Sequence, residues 1–128
     1  MLAELLLRPK PELKERLKYY LNYLSAYGVT MLWDAGNFIL DDEIYSVLQE
    51  LDQENAFPRA YEGSYHIYDP RQIDLAIDEL LKLRQAYSGT RLKFNSIKIH
   101  FDGVVEIGTA GILEGYELNP ESHGGYLF

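Results

Sequence analysis

The feature that most restricts the fold is an alternation between short apolar runs and longer stretches with helical periodicity. Residues 29–33, 59–68 and 96–101 read as strands. Ahead of the first, Leu13, Leu17, Leu21 and Leu24 line one side of a helix, with Glu12, Lys14, Glu15 and Lys18 on the other. Gly28 stands where a left-handed C-terminal cap belongs, and Asp34-Ala35-Gly36 reads as the turn that ends the strand. A second helix carries Ile44, Val47, Leu48 and Leu51 on one face behind a capping Asp41. The third is expected to open at Asp69-Pro70, to bury Ile73, Ala76, Ile77, Leu80 and Leu83, and to end at Ser88-Gly89. Strands alternating with helices of this length imply crossover connections and a parallel sheet, an α/β fold. From residue 103 to 128 the chain is a long glycine-rich loop.

Composition narrows the function classes. The formal net charge of −8 provides no basic face for phosphates, which argues against nucleic acid. With no cysteine, disulfides and thiolate metal sites are excluded, which suits a cytoplasmic protein. The first seven residues are apolar but lack a basic start and a small-residue cleavage site, so no signal peptide is expected. No run approaches the roughly 18 apolar residues of a membrane span.

Chemistry concentrates in residues 96–103. Ile97, Ile99 and Phe101 fall on one side of the expected strand, and Lys98, His100 and Asp102 on the other. Three ionisable groups in a row suit a polar cavity at the carboxyl end of a parallel sheet, or an edge strand with one side in water. Three parallel strands also make an incomplete sheet, since a closed barrel of this type needs eight strands and roughly 250 residues.

The stretch Ile97 to Phe128 resembles the fourth-strand region of the YtcJ-like metal-dependent amidohydrolases. The elements that carry the resemblance are Lys98, Asp102-Gly103, Glu106, Thr109-Ala110, and Ile112-Leu113 leading to Tyr116. Upstream, Gly28-Val29-Thr30 with Asp34-Ala35-Gly36 is similar to the family's second strand, and Glu62-Gly63-Ser64-Tyr65 to its third. The likeness runs from about Pro11 to Phe128. It implies that residues 1–128 form a single partial amidohydrolase barrel domain, three parallel β/α units of a (β/α)8 TIM barrel covering the second to fourth strands. The implied activity is hydrolysis of amide or cyclic amide C–N bonds by a divalent metal, usually zinc, that activates water. Lys98 matches the family's metal-bridging lysine, often carboxylated on its amine. Burial of such a lysine favours the neutral amine that reacts with carbon dioxide. His100, Asp102 and Glu106 fall where the substrate would be contacted.

The departures from the family pattern limit what the chain should do alone. It has three histidines, His66, His100 and His123, and no His-x-His pair, so one expected metal ligand is present where a catalytic zinc needs at least three from the protein. His66 and His123 read as a packed or partner-bonded residue and a surface loop residue. Asp34 reads as a turn cap with site-facing as the alternative, and Tyr19, Tyr20, Tyr23 and Tyr27 read as helix-packing residues. The expectation is a fragment, inactive alone, without tight metal binding, and self-associating through open sheet edges. The alternatives are a noncatalytic self-associating interaction module and a small stand-alone α/β binding domain.

Overall fold

A computed structural model describes residues 10–35, 41–57 and 59–126. The expectations for residues 1–7, Pro9, Gly36 and Pro58, and for the Asp41 side chain, lie outside the described residues. The chain runs α1 (Lys10–Ala26), β1 (Met31–Trp33), α2 (Asp41–Gln53), β2 (Ala60–Ile67), a 3-10 turn (Pro70–Gln72), α3 (Ala76–Tyr87), β3 (Leu92–Ile99) and a second 3-10 turn (Val105–Ile107). The strands form one parallel sheet in the order β1-β2-β3. The fold is therefore mixed α/β, with helices flanking a three-stranded parallel sheet.

Local sequence explains most of these boundaries. On α1, Leu13, Leu17 and Leu21 turn one stripe into the core. The helix stops at Gly28, whose φ of +79° is cheap only for a residue without Cβ. There the Gly28 and Val29 amides donate to the Ser25 and Leu24 carbonyls, at 3.0 and 3.2 Å. On α2, Tyr45, Val47, Leu48 and Leu51 are all fully buried. Lys14 ties α1 to α2 at the surface through Glu50 and Glu54, at 3.2 and 2.6 Å.

Two elements depart from the sequence reading. Asp69 does cap a turn, in a reciprocal capping box with Gln72, but the turn is 3-10 and α3 begins only at Ala76. The bonds Ile73 to Pro70, Leu75 to Gln72 and Ala76 to Ile73 all span three residues, and the four-residue pattern starts with Glu79 to Leu75. That tighter winding shifts the helix phase, so Ala76 and Leu80 are buried while Ile73 and Ile77 face outward. The third strand starts at Leu92, four residues before position 96, because Leu92 and Phe94 alternate with Lys93 and both are fully buried.

A bulge lies inside the β2–β3 ladder. Gly63 pairs with Phe94 and Ser64 with Ser96, which leaves Asn95 as the extra residue. The Glu62 carboxylate accepts from both the backbone amide and the side-chain amide of Asn95. Gly63 is required here by space. A Cβ on it would lie 2.2 Å from Phe94 Cε1.

Leu13, Leu17 and Leu21, with Leu32, Tyr61, Tyr65 and Ile97 of the strands and Leu80, Leu83 and Tyr87 of α3, pack around Tyr45, Leu48, Leu51, Phe57, Leu92 and Phe94. This cluster occupies one face of the sheet. Among the described residues no helix covers the other face, and no helix is long and apolar enough to cross a membrane.

Candidate functional site

The helix-free face is built by period-two alternation. Trp33 of β1, Glu62, Ser64 and His66 of β2, and Ser96 and Lys98 of β3 occupy the positions opposite the core-facing Leu32, Tyr61, Tyr65 and Ile97. Trp33 reaches across the middle strand, its indole N–H donating to Ser96 Oγ at 2.9 Å. Lys98 is the register partner of His66 and is half-buried. At the carboxyl end of the sheet, the His100 amide donates to the Ile67 carbonyl at 2.9 Å, which carries the ladder one bond beyond β3.

Aromatic and imidazole rings gather there. Tyr68 and His100 stack with centroids 4.4 Å apart and planes 20° apart, and His66 lies 6.1 Å from His100, edge to face. Burial, then the Lys98 charge, then His66 push the His100 pKa below its ordinary value, so the ring is held toward its neutral form. His66 is itself 3% exposed and bonded to Ser64 Oγ at 3.0 Å, in keeping with the partner-bonded role expected of it.

Behind this face, Asp34 turns its carboxylate toward the helices. Oδ2 accepts from the hydroxyls of Tyr45 and Tyr61, each at 3.1 Å. The Tyr45 hydroxyl also lies 3.2 Å from the Ser64 carbonyl, and Ser64 Oγ donates to the Asp34 carbonyl at 2.5 Å. Asp34 therefore locks the end of β1 to β2 and to α2.

Of the four residues singled out for the site, Lys98 and His100 come together and the other two belong to the terminal loop. β3 ends at Ile99, so strict alternation does not reach position 102. Asp102 pairs antiparallel with Tyr126 and its Oδ2 accepts from the Gly111 amide at 3.0 Å. Glu106 sits in the second 3-10 turn, at the wall of a separate cavity of about 650 Å3 shared with Val105, Ile107, Ile112 and Tyr116. His123 is exposed, its Nδ1 3.2 Å from the Ile112 carbonyl. The tyrosines of α1 differ from expectation. Tyr19, Tyr20, Tyr23 and Tyr27 are all exposed, and Tyr23 packs against Tyr19 and Tyr27 at 6.5 and 5.0 Å along the helix.

Glu62, Ser64 and His66 share this face with Lys98, whereas the sequence reading used the first two only for the third-strand resemblance and took His66 as packed or partner-bonded. The signal was present: Glu62, Ser64 and His66 alternate with Tyr61, Gly63 and Tyr65, the same pattern that exposed Lys98 and His100. Among the described residues no three His, Cys, Asp or Glu side chains converge, and a catalytic zinc needs at least three protein ligands. No protein-family model, curated protein or solved structure matches the chain.

Proposed function

We propose that the chain is the second-to-fourth-strand section of a metal-dependent amidohydrolase barrel, acting in the cytoplasm on amide or cyclic amide C–N bonds. The observation that carries this reading is the placement of Lys98. It lies near the carboxyl end of a parallel strand, on the sheet face that no described helix covers, beside His66 and His100. In a (β/α)8 barrel that face is the interior, and its carboxyl end is where catalysis occurs. The apolar surface at the flanks supports the same reading. Ile77 and Leu81 of α3 and the α1 tyrosines are exposed, on helices that a closed barrel would cover with neighbours.

In this reading Lys98, in its carboxylated form, would hold the metal together with ligands from other strands. A divalent metal, usually zinc in the family the chain resembles, would supply an activated water and a polarised carbonyl. His100 faces the substrate from the strand end, and Asp102 and Glu106 act from the loop above it, Asp102 by holding the loop's shape.

The test uses the complete barrel and the chain alone. In the complete barrel, Lys98→Ala should remove most bound metal and hydrolysis, with partial rescue by a small carboxylic acid. Full metal occupancy and rate in that variant would overturn the assignment. In the chain alone, calorimetry should show only weak zinc binding. A tight stoichiometric site would favour a self-sufficient binding domain instead. A second reading, a noncatalytic module that associates with itself, is favoured by the exposed apolar residues on α1 and α3 and is separated from the first by association state.

A further inference from the structure

A cavity of about 580 Å3 opens between α2 and α3 near the carboxyl end of β2. Its size suits a small organic molecule, and its walls combine two kinds of surface. The rings of Tyr65 and Tyr87, with the Leu83 side chain, give an aromatic and aliphatic lining. The carboxylates of Asp42, Glu43 and Glu79 stand around it against one ammonium, that of Lys82.

These charges are not equally satisfied. Lys82 Nζ is paired with Glu79 at 2.6 Å, so those two largely cancel. Among the described residues neither Asp42 nor Glu43 has an ion pair. Both lie in the first turn of α2, where the helix dipole favours the ionised carboxylate. Their field reaches the aromatic wall. The Tyr87 phenol is pushed above its ordinary value by burial first, then by its hydrogen bond to Asp42 and by the charges of Asp42 and Glu43. That bond, from the Tyr87 hydroxyl to Asp42 Oδ1, is 3.0 Å long.

The walls are also held in place. The Tyr87 ring packs against Tyr45 and Phe94, with centroids 6.1 and 6.3 Å away. Gln49 of α2 donates to the Ala86 carbonyl of α3 at 2.7 Å, which joins the two helices that form the cavity. A ligand would therefore meet a surface already arranged, with little ordering cost.

We propose that this cavity binds a small organic cation, an amine or guanidinium carried on a short aliphatic chain. Asp42 and Glu43 take the charged end, and the tyrosine rings cover the chain and add their own attraction for a cation. An anionic ligand is opposed by the excess of carboxylates. Lys98 is not among the walls, so the proposal goes beyond the amidohydrolase reading and does not depend on it.

The test is an NMR titration of the whole chain with butylguanidinium and with butylurea, which has nearly the same shape and no charge. Butylguanidinium should give saturable shifts of the Tyr65 and Tyr87 ring resonances, and butylurea should bind roughly tenfold more weakly. Glu43→Gln should weaken butylguanidinium binding by roughly threefold, and Lys82→Gln, which frees Glu79, should strengthen it by a similar factor. A general loss of structure would not move the two variants in opposite directions. Equal affinity for the two probes, no saturable shift, shifts confined to other tyrosines, or unchanged affinity in either variant would each overturn the proposal. None of these outcomes bears on Lys98, whose own substitution tests the amidohydrolase reading separately.

Discussion

At the scale of single residues, the helix-facing and helix-free sides of the sheet are joined through Asp34, Tyr45 and Ser64. Tyr45 is fully buried, yet its hydroxyl is satisfied by Asp34 and by the Ser64 carbonyl, as a buried polar group must be. Helical periodicity marked Ile44, Val47, Leu48 and Leu51 as core, but the tyrosine after Ile44 carries no sign that its hydroxyl will meet a carboxylate from the end of β1. Gly63 is similarly silent in sequence. Its lack of a side chain admits the Phe94 ring, which packs edge to face on Tyr45 at 4.8 Å. Gly63→Ala should therefore destabilise the chain by about 1–3 kcal/mol, the usual cost of overpacking a close-packed core. Urea unfolding should show a lower midpoint at unchanged slope. A midpoint equal to that of the parent chain would mean Phe94 moves aside freely.

At the scale of elements, the entry to α3 shows how a correct local signal can sit at the wrong distance from its helix. Asp69 and Pro70 do start a turn, and the box with Gln72 closes it, but three-residue bonds persist through Ala76 before α-helical bonding begins. The cap has a measurable electrostatic signature. Hydrogen bonding from the Arg71 side chain, and then from its backbone amide, lowers the Asp69 carboxyl from its ordinary 3.8 to about 2. Because the folded value lies below the unfolded one, the unfolded chain takes up this proton first as pH falls. The contribution to stability is therefore present above about 3.8 and lost as pH drops toward about 2. Carbon-detected titration should place the Asp69 midpoint in that lower range, and Arg71→Ala should move it back up. A midpoint unmoved by that substitution would assign the shift to something other than the arginine.

At the scale of the whole molecule, the apolar surface is distributed at the flanks. Tyr19 and Tyr23 lie along α1 with Tyr27 just past its end, Ile77 and Leu81 one turn apart on α3, and Met31 and Trp33 on the edge strand β1, all about half exposed or more. Covering one such aliphatic side chain contributes roughly 1.5–3 kcal/mol, and two edge strands offer backbone groups for pairing. The chain should therefore associate with itself at micromolar concentration, as read by light scattering. Ile77→Lys combined with Leu81→Glu should shift the population toward monomer if α3 contributes to the contact. A parent chain that is monomeric, with melting independent of concentration, would show that these surfaces are stable in water and would take away the main support for both the barrel-section and the self-associating readings.

What the sequence determined by itself was the order of helices and strands, the parallel α/β class, the glycine that ends α1, and the polar side of β3 with Lys98 and His100. Each of these follows from local rules, namely hydrophobic period, capping chemistry and alternation along a strand. Only the tertiary structure decided where β3 begins, that Asn95 is bulged out, that Asp34 faces the helices, that Asp102 serves the terminal loop, and that the α1 tyrosines stay in water. Periodicity states which residues share a side of an element. What meets that side depends on partners that are distant in sequence, such as Glu62 for Asn95, Tyr61 for Asp34 and Tyr126 for Asp102, and no local pattern encodes them.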